Sequence, residues 1–383
     1  MIPYGRQDIS DADVQAVVEV LKSDWLTQGP SIPAFEQAVA DRCNAAHAVA
    51  VSNATGALHI ACLALGVGPG DIVWTAPNTF VASANCALYC GADVDFVDID
   101  ARTYNMSINA LREKLIKAKI AGRLPKVVIP VHFAGQSCDM REMRELADTY
   151  DFSIIEDASH AIGGRYLDGA VGNCRYSDIT VFSFHPVKII TTAEGGMALT
   201  NDVSLDQRLR LFRSHGVTRD TALMHGDSEG PWYYQQVELG YNYRMTDIQA
   251  ALGLTQLTRL DEFCERRRQI AARYDAAFEG VSIVPPWQSP DTSSALHLYP
   301  ILCAQGTNRR GMFDALRAAG IGVNVHYFPV HLQPYYQKFG FKRGDFPEAE
   351  NYYARTISLP MYASMSDESV QRVIDAVVTV AQG

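Results

Sequence analysis

No cluster of basic residues, no close cysteine pair of the metal or redox kind and no long apolar run occurs in this chain, and each absence excludes a class of protein. Lys and Arg number 33 against 43 Asp and Glu, a formal net charge of −10. The densest basic run, Arg266-Arg267-Arg268, has acids beside it in a helical stretch, which argues against nucleic-acid binding. The 8 cysteines are scattered, with no C-x-x-C, and read as reduced packing residues of a cytosolic protein. The most apolar stretch, Ala57 to Val67, is too short to span a bilayer, and Met1 to Ser10 has no apolar core of the signal-peptide kind. There is no Walker motif. Gly66 to Gly70 resembles a dinucleotide fingerprint only superficially: it follows a helical stretch, precedes a strand and contains Pro69, so it reads as a turn. His326 and His331 lack matching ligands at metal spacing, and Pro329 breaks any helical register between them, so no metal is expected.

What is present is a 383-residue chain, 48% hydrophobic, long enough for two or three domains. Ser10 with Asp11 and Asp13 opens a helix that ends near Ser23, and Pro33 starts a second. Short β-branched runs then alternate with amphipathic helices: strands at 48–52, 72–75, 94–97, 127–131, 153–156, 179–182 and 197–200. That alternation predicts an α/β architecture, a mostly parallel sheet covered by helices on both faces. Residues 214–242, rich in Gly, His, Tyr and Trp, read as a long ordered loop. The remainder predicts helix over 246–274, strands around 296–303 and 323–328, and helices over 309–319 and 367–380. The expected division is a large α/β domain over 1–250 and a smaller α+β domain over 251–383.

Ligands of open α/β sheets bind beyond the carboxyl ends of the strands, and three candidate groups fall there. Asn53-Ala54-Thr55-Gly56 lies between a strand and a helix, where free N–H groups and the helix dipole favour a phosphate; an ordinary helix cap explains the same residues. Asp157 ends an apolar strand, where a poorly solvated carboxylate needs a cationic or N–H partner; the alternative is again a cap. Ser183 ends another strand, and Lys188 follows between Val187 and Ile189, where lost hydration favours a neutral, nucleophilic amine over an ordinary surface lysine. A carboxylate for a ring nitrogen, a lysine for an aldehyde and a helix start for a phosphate are together what pyridoxal phosphate requires. Phe80 ends a further strand, placed to stack on such a ring.

These residues carry a resemblance over essentially the whole chain. The motifs NATGAL at Asn53, PNTFVAS at Pro77, EDASHAIGG at Glu156, SFHPVKIITTAEGG at Ser183 and GYNYRMTDIQAALG at Gly240 resemble those of the sugar-nucleotide aminotransferases, a branch of the fold-type I pyridoxal-phosphate enzymes. PWYYQQVELGYNYRMTDIQAALG, VHYFPVHLQPYY and GDFPEAENYYARTISLPMY are most similar to the pseudaminic acid branch. The resemblance implies that Lys188 bonds the cofactor aldehyde, Asp157 pairs with the pyridine nitrogen, Phe80 stacks on the ring and His160 reaches the phenolic oxygen. It implies phosphate contacts from Thr55, Gly56 and Ser183, with Asn242 supplied by the partner of a homodimer. It also implies L-glutamate as donor and a UDP-linked keto sugar as acceptor. The sugar nucleotide is expected along Tyr4, Trp25 and Thr27, with Arg213 on a phosphate and His326 and Tyr327 facing the sugar. Two rivals are a nicotinamide oxidoreductase, which lacks its glycine fingerprint here, and a non-catalytic sugar-nucleotide-binding regulator, which loss of Lys188 would mark.

Overall fold

A computed structural model describes residues 1–382. Seven strands form the main sheet, in the order His47–Val51, Gly196–Thr200, Ile179–Ser183, Ser153–Asp157, Val127–Ile129, Ile72–Thr75 and Asp93–Phe96. The strands from Ile179–Ser183 to Asp93–Phe96 are mutually parallel; Gly196–Thr200 runs antiparallel to both its neighbours. Side chains alternate across the strands. Ile179, Val181, Ala198, Val49 and Val51 enter one core, while Phe182, Met197, Leu199, Ala48 and Ala50 enter another. The sheet is therefore buried on both faces, as the unbroken apolar strands anticipate.

Local chemistry sets where the flanking helices start. Ser10 and Asp13 form a reciprocal capping box at the head of the helix Asp11–Leu21. Asp13 is buried and accepts from Gln256 Nε2 at 2.8 Å and Arg259 Nη2 at 2.7 Å. That ion pair ties the first helix to the end of the helix Asp247–Thr258, against which it packs.

A third core surrounds a small antiparallel sheet of Ile283–Val284, Tyr299–Cys303 and Thr356–Leu359, and includes Ile2, Leu316 and Val373. The helix Leu260–Ala277 joins the cores: Leu260, Phe263 and Cys264 pack with the main-sheet core, Ile270, Ala271 and Tyr274 with the small one. The strand expected over 323–328 is not formed. That segment makes one bridge, Asn324 to Ser358, and its His326 and Tyr327 turn toward a cavity instead. The position beside Tyr299–Cys303 goes to Thr356–Leu359, which directly follows the helix Pro347–Arg355. The loop after Arg213 holds only a two-residue ribbon, Val217–Thr218 with Gln235–Gln236, and exposes Trp232, Tyr234 and Leu239.

Candidate active site

The carboxyl ends of Ser153–Asp157 and Ile179–Ser183 open onto a cavity of about 650 Å³. Its wall is completed by the start of the helix Ala54–Ala64, by Thr79 and Phe80, by Tyr4, and by His297, His326 and Tyr327. The Tyr4 backbone carbonyl accepts from Met361 N at 3.0 Å, which fixes the N-terminal segment against the small sheet and its ring 5.4 Å from that of His326.

Strand alternation separates two adjacent carboxylates. Glu156 turns away from the cavity and is held by His132 Nε2 at 2.6 Å and Thr180 Oγ1 at 3.0 Å. Asp157 lines the cavity while only 5% exposed. Ser83 Oγ donates to its Oδ2 at 2.6 Å and Ser159 N–H to its Oδ1 at 3.2 Å. Two donors leave lone pairs of this carboxylate free for a ligand N–H.

Lys188 sits in the loop after Ile179–Ser183, its backbone N–H bonded to His185 O at 2.9 Å. Burial lowers its amine to about 8, against the pull of the Asp157 carboxylate. Three buried imidazoles share the cavity wall. Burial, then the Lys188 charge, holds His160 well below the usual histidine range and His326 at about 4; burial, then His160 and Lys188, holds His297 well below that range. All three are neutral at neutral pH. Ala134 N–H donates to His160 Nδ1 at 3.3 Å, so the ring proton lies on Nε2, 3.2 Å from the Tyr327 hydroxyl.

The helix Ala54–Ala64 meets the cavity with its first turn. Asn53 caps it, accepting from Gly56 N–H at 2.8 Å. The preceding N–H groups, those of Ala54 and Thr55, have no carbonyl to bond within the helix, and both residues line the cavity. Gly196 is needed beside them: a Cβ there would meet Ala54 N at 2.6 Å.

A site for pyridoxal phosphate requires a neutral-capable lysine, a carboxylate with free lone pairs, unbonded helix N–H groups and space, and these residues fit it. His297 adds a buried Nδ1 that has no partner in the chain. Most of the expected residues converge: Thr55, Phe80, Asp157, His160, Ser183, Lys188, Tyr4, His326 and Tyr327 all line the cavity. Five do not. Arg213 lies outside the cavity, its Nη1 bonded to Glu36 Oε1 at 2.6 Å and to Ala50 O at 3.0 Å. Gly56 also lies outside it: its N–H is bonded to Asn53, and a Cβ would press on the Tyr243 ring at 3.1 Å. Trp25 and Thr27 are exposed and lie outside the cavity of their own chain; Thr27 bridges to Thr246 instead. Asn242 is also exposed and outside it. Sequence reasoning passed over Ser83 and His297. The signal for Ser83 was its position at the start of a helix four residues after Thr79, whose hydroxyl it meets at 2.8 Å.

Fold and cavity define a fold-type I enzyme that works with pyridoxal phosphate. The DegT/DnrJ/EryC1/StrS aminotransferase family model matches residues 7–378, and the chain belongs to that family. It is a pyridoxal-phosphate-dependent sugar aminotransferase; solved relatives are known in both PLP and PMP forms. The spore coat polysaccharide biosynthesis protein SpsC of Bacillus subtilis is 42% identical over 100% of this chain and 97% of its own. The UDP-4-amino-4,6-dideoxy-N-acetyl-beta-L-altrosamine transaminase of Campylobacter jejuni is 36% identical over 100% of this chain and 98% of its own. The structure of Helicobacter pylori PseC, an aminotransferase involved in pseudaminic acid biosynthesis, superposes with a TM-score of 0.91 at 32% identity, covering 100% of this chain and 99% of that one. Among the described residues no helix is long and apolar enough to cross a membrane, and no group of three His, Cys, Asp or Glu is placed to hold a metal ion.

Proposed function

We propose that the enzyme moves an amino group from L-glutamate to C4 of UDP-2-acetamido-2,6-dideoxy-L-arabino-4-hexulose, making UDP-4-amino-4,6-dideoxy-N-acetyl-beta-L-altrosamine for pseudaminic acid. The observation that carries this reading is full-length identity of 36% to a transaminase of that name. A second reading, another nucleotide-linked keto sugar, is favoured by the higher identity to SpsC, 42%. Incubation with glutamate and a panel of UDP-linked 4-keto sugars, with the product identified by NMR, separates them. The first reading expects the L-arabino-4-hexulose to react at least about tenfold faster in kcat/KM than its epimers, the discrimination that one well-placed contact supplies. A preference for a different sugar replaces it with the second.

When bound, the cofactor supplies an electrophilic carbon and an electron-accepting ring. Lys188 would join its aldehyde, Asp157 its ring nitrogen, and the His160 Nε2–H its phenolic oxygen; Phe80 would stack on the ring. The Ser183 and Thr55 hydroxyls and the N–H groups of Ala54 and Thr55 would hold the phosphate. The Lys188 amine, neutral above about pH 8, is matched to taking a proton from the donor Cα, and as an ammonium to giving one to C4 of the sugar. Tyr4, His326 and Tyr327 close the side of the cavity nearest the small sheet, where a sugar would be shielded from water.

The enzyme works as a homodimer with shared sites, Asn242 of each chain serving the phosphate of the other. The support is the exposure of Asn242 on a loop that also exposes Trp232, Tyr234 and Leu239. Mixing inactive Lys188→Ala subunits with inactive Asn242→Ala subunits is expected to restore activity up to about a quarter of wild type, because random pairing makes half the dimers hybrids with one intact site each. No recovery after confirmed subunit exchange, or a monomer in sedimentation, removes the shared site.

A further inference from the structure

Ser83 is buried, 1% exposed, in the first turn of the helix Ala82–Tyr89, and the proposed mechanism gives it no task. Its hydroxyl lies 2.6 Å from Asp157 Oδ2 and 2.8 Å from the Thr79 hydroxyl, with Phe80 O farther away at 3.3 Å. A serine has one proton to give. An ionised Asp157 accepts only, so that proton points to Oδ2, and the Thr79 hydroxyl, itself 3% exposed, must then donate to Ser83 Oγ. The result is a directed relay, Thr79 to Ser83 to Asp157, in which each buried hydroxyl points its proton toward the carboxylate.

Such a relay bears on where a shared proton rests. A carboxylate facing a pyridine nitrogen shares one proton with it. Hydrogen bonds to the anionic form stabilise the anion. A carboxylate so held leaves the proton on nitrogen; one stripped of its donor takes more of that proton for itself. We propose that Ser83, oriented by Thr79, is a positioning residue that keeps Asp157 anionic and so keeps the proton on the cofactor's ring nitrogen. This rests on the assignment of Asp157 to that nitrogen.

The test uses holoenzyme loaded with isotope-labelled pyridoxal phosphate and reads the ring-nitrogen NMR shift. Wild type is expected to show a protonated nitrogen. Ser83→Ala moves the signal toward unprotonated pyridine and slows the glutamate half reaction about tenfold or more, the value of one hydrogen bond to a charged group, with the KM for glutamate unchanged. Ser83→Thr, which keeps the hydroxyl, restores both. Thr79→Val, which leaves the bond to Asp157 in place, moves the signal the same way by less. If the alanine variant does not fold, Ser83→Cys serves, its weaker donor giving a partial shift. An unmoved signal in Ser83→Ala or Ser83→Cys, with Asp157→Asn moving it strongly, overturns the relay and leaves the site reading standing. An unmoved signal in Asp157→Asn overturns the site reading itself.

Discussion

Lys188→Ala is expected to lose sugar amination in single turnover by at least about 10⁴-fold, because both the covalent attachment and the proton-transfer base are removed together. Lys188→Arg should fare no better, since a guanidinium does not lose its proton in the working range. Cofactor should still bind to either variant, because the residues proposed for the phosphate and the ring nitrogen, Ser183, Thr55 and Asp157, belong to strand and helix ends that do not depend on the lysine. Borohydride treatment of wild type followed by peptide mapping should place the fixed cofactor on Lys188, and the alanine variant should release it on denaturation. Label on another lysine, or a residual rate within tenfold of wild type, would remove the central assignment.

The pH dependence of that amine follows from its surroundings. Burial lowers Lys188 to about 8 from an ordinary value of 10.5, and the Asp157 carboxylate only partly opposes this. The folded state thus favours the neutral amine. The sign is fixed: the ammonium is the disfavoured form, so Lys188 costs stability throughout the range below its folded value. That cost fades as pH rises from about 8 toward the unfolded value. In cofactor-free protein, amine-directed acylation at Lys188 should therefore rise through pH 8, well before that of exposed lysines.

Legibility from the sequence divided along physical lines. The parallel strands were readable because burial on both faces forces unbroken β-branched runs such as Ile179-Thr180-Val181-Phe182. The cavity residues Asp157, Ser183 and Lys188 were readable because they stand at the ends of such runs, where the chain must turn beside any ligand. The ion pair of Arg213 with Glu36 was not: Glu36 lies in a helix far away in sequence, and local pattern says nothing about which distant carboxylate a guanidinium meets. The segment 323–328 looks like a strand by composition, yet its single bridge to Ser358 leaves His326 and Tyr327 free for the cavity. Thr356–Leu359 was hidden by brevity, four residues between a helix and Pro360. Ser83 escaped notice because its meaning lies in one hydrogen bond across the fold.

Asp157→Asn is expected to slow both half reactions about a hundredfold or more, the effect of removing an oriented charge worth about 3 kcal/mol in a water-poor site. The side chain keeps its shape, so the surrounding bonds decide the outcome. Ser83 Oγ donates to one position of the carboxylate and Ser159 N–H to the other. An asparagine would satisfy the shorter, stronger of these by turning its oxygen to Ser83. Its NH₂ then occupies the Oδ1 position, facing the cavity and opposing the Ser159 N–H. A donor now stands where an acceptor was, so a ring nitrogen beside it must give up its proton to accept. The ring loses positive charge and with it the capacity to take up electrons from the donor Cα. Phosphate contacts from Thr55 and Ser183 are untouched, so cofactor should remain bound, less tightly. The measurement is single-turnover conversion of the pyridoxal form by glutamate at saturating cofactor. A rate near wild type with cofactor bound would reduce Asp157 to a cap on the Ser159 backbone, and the ring nitrogen would need a different partner.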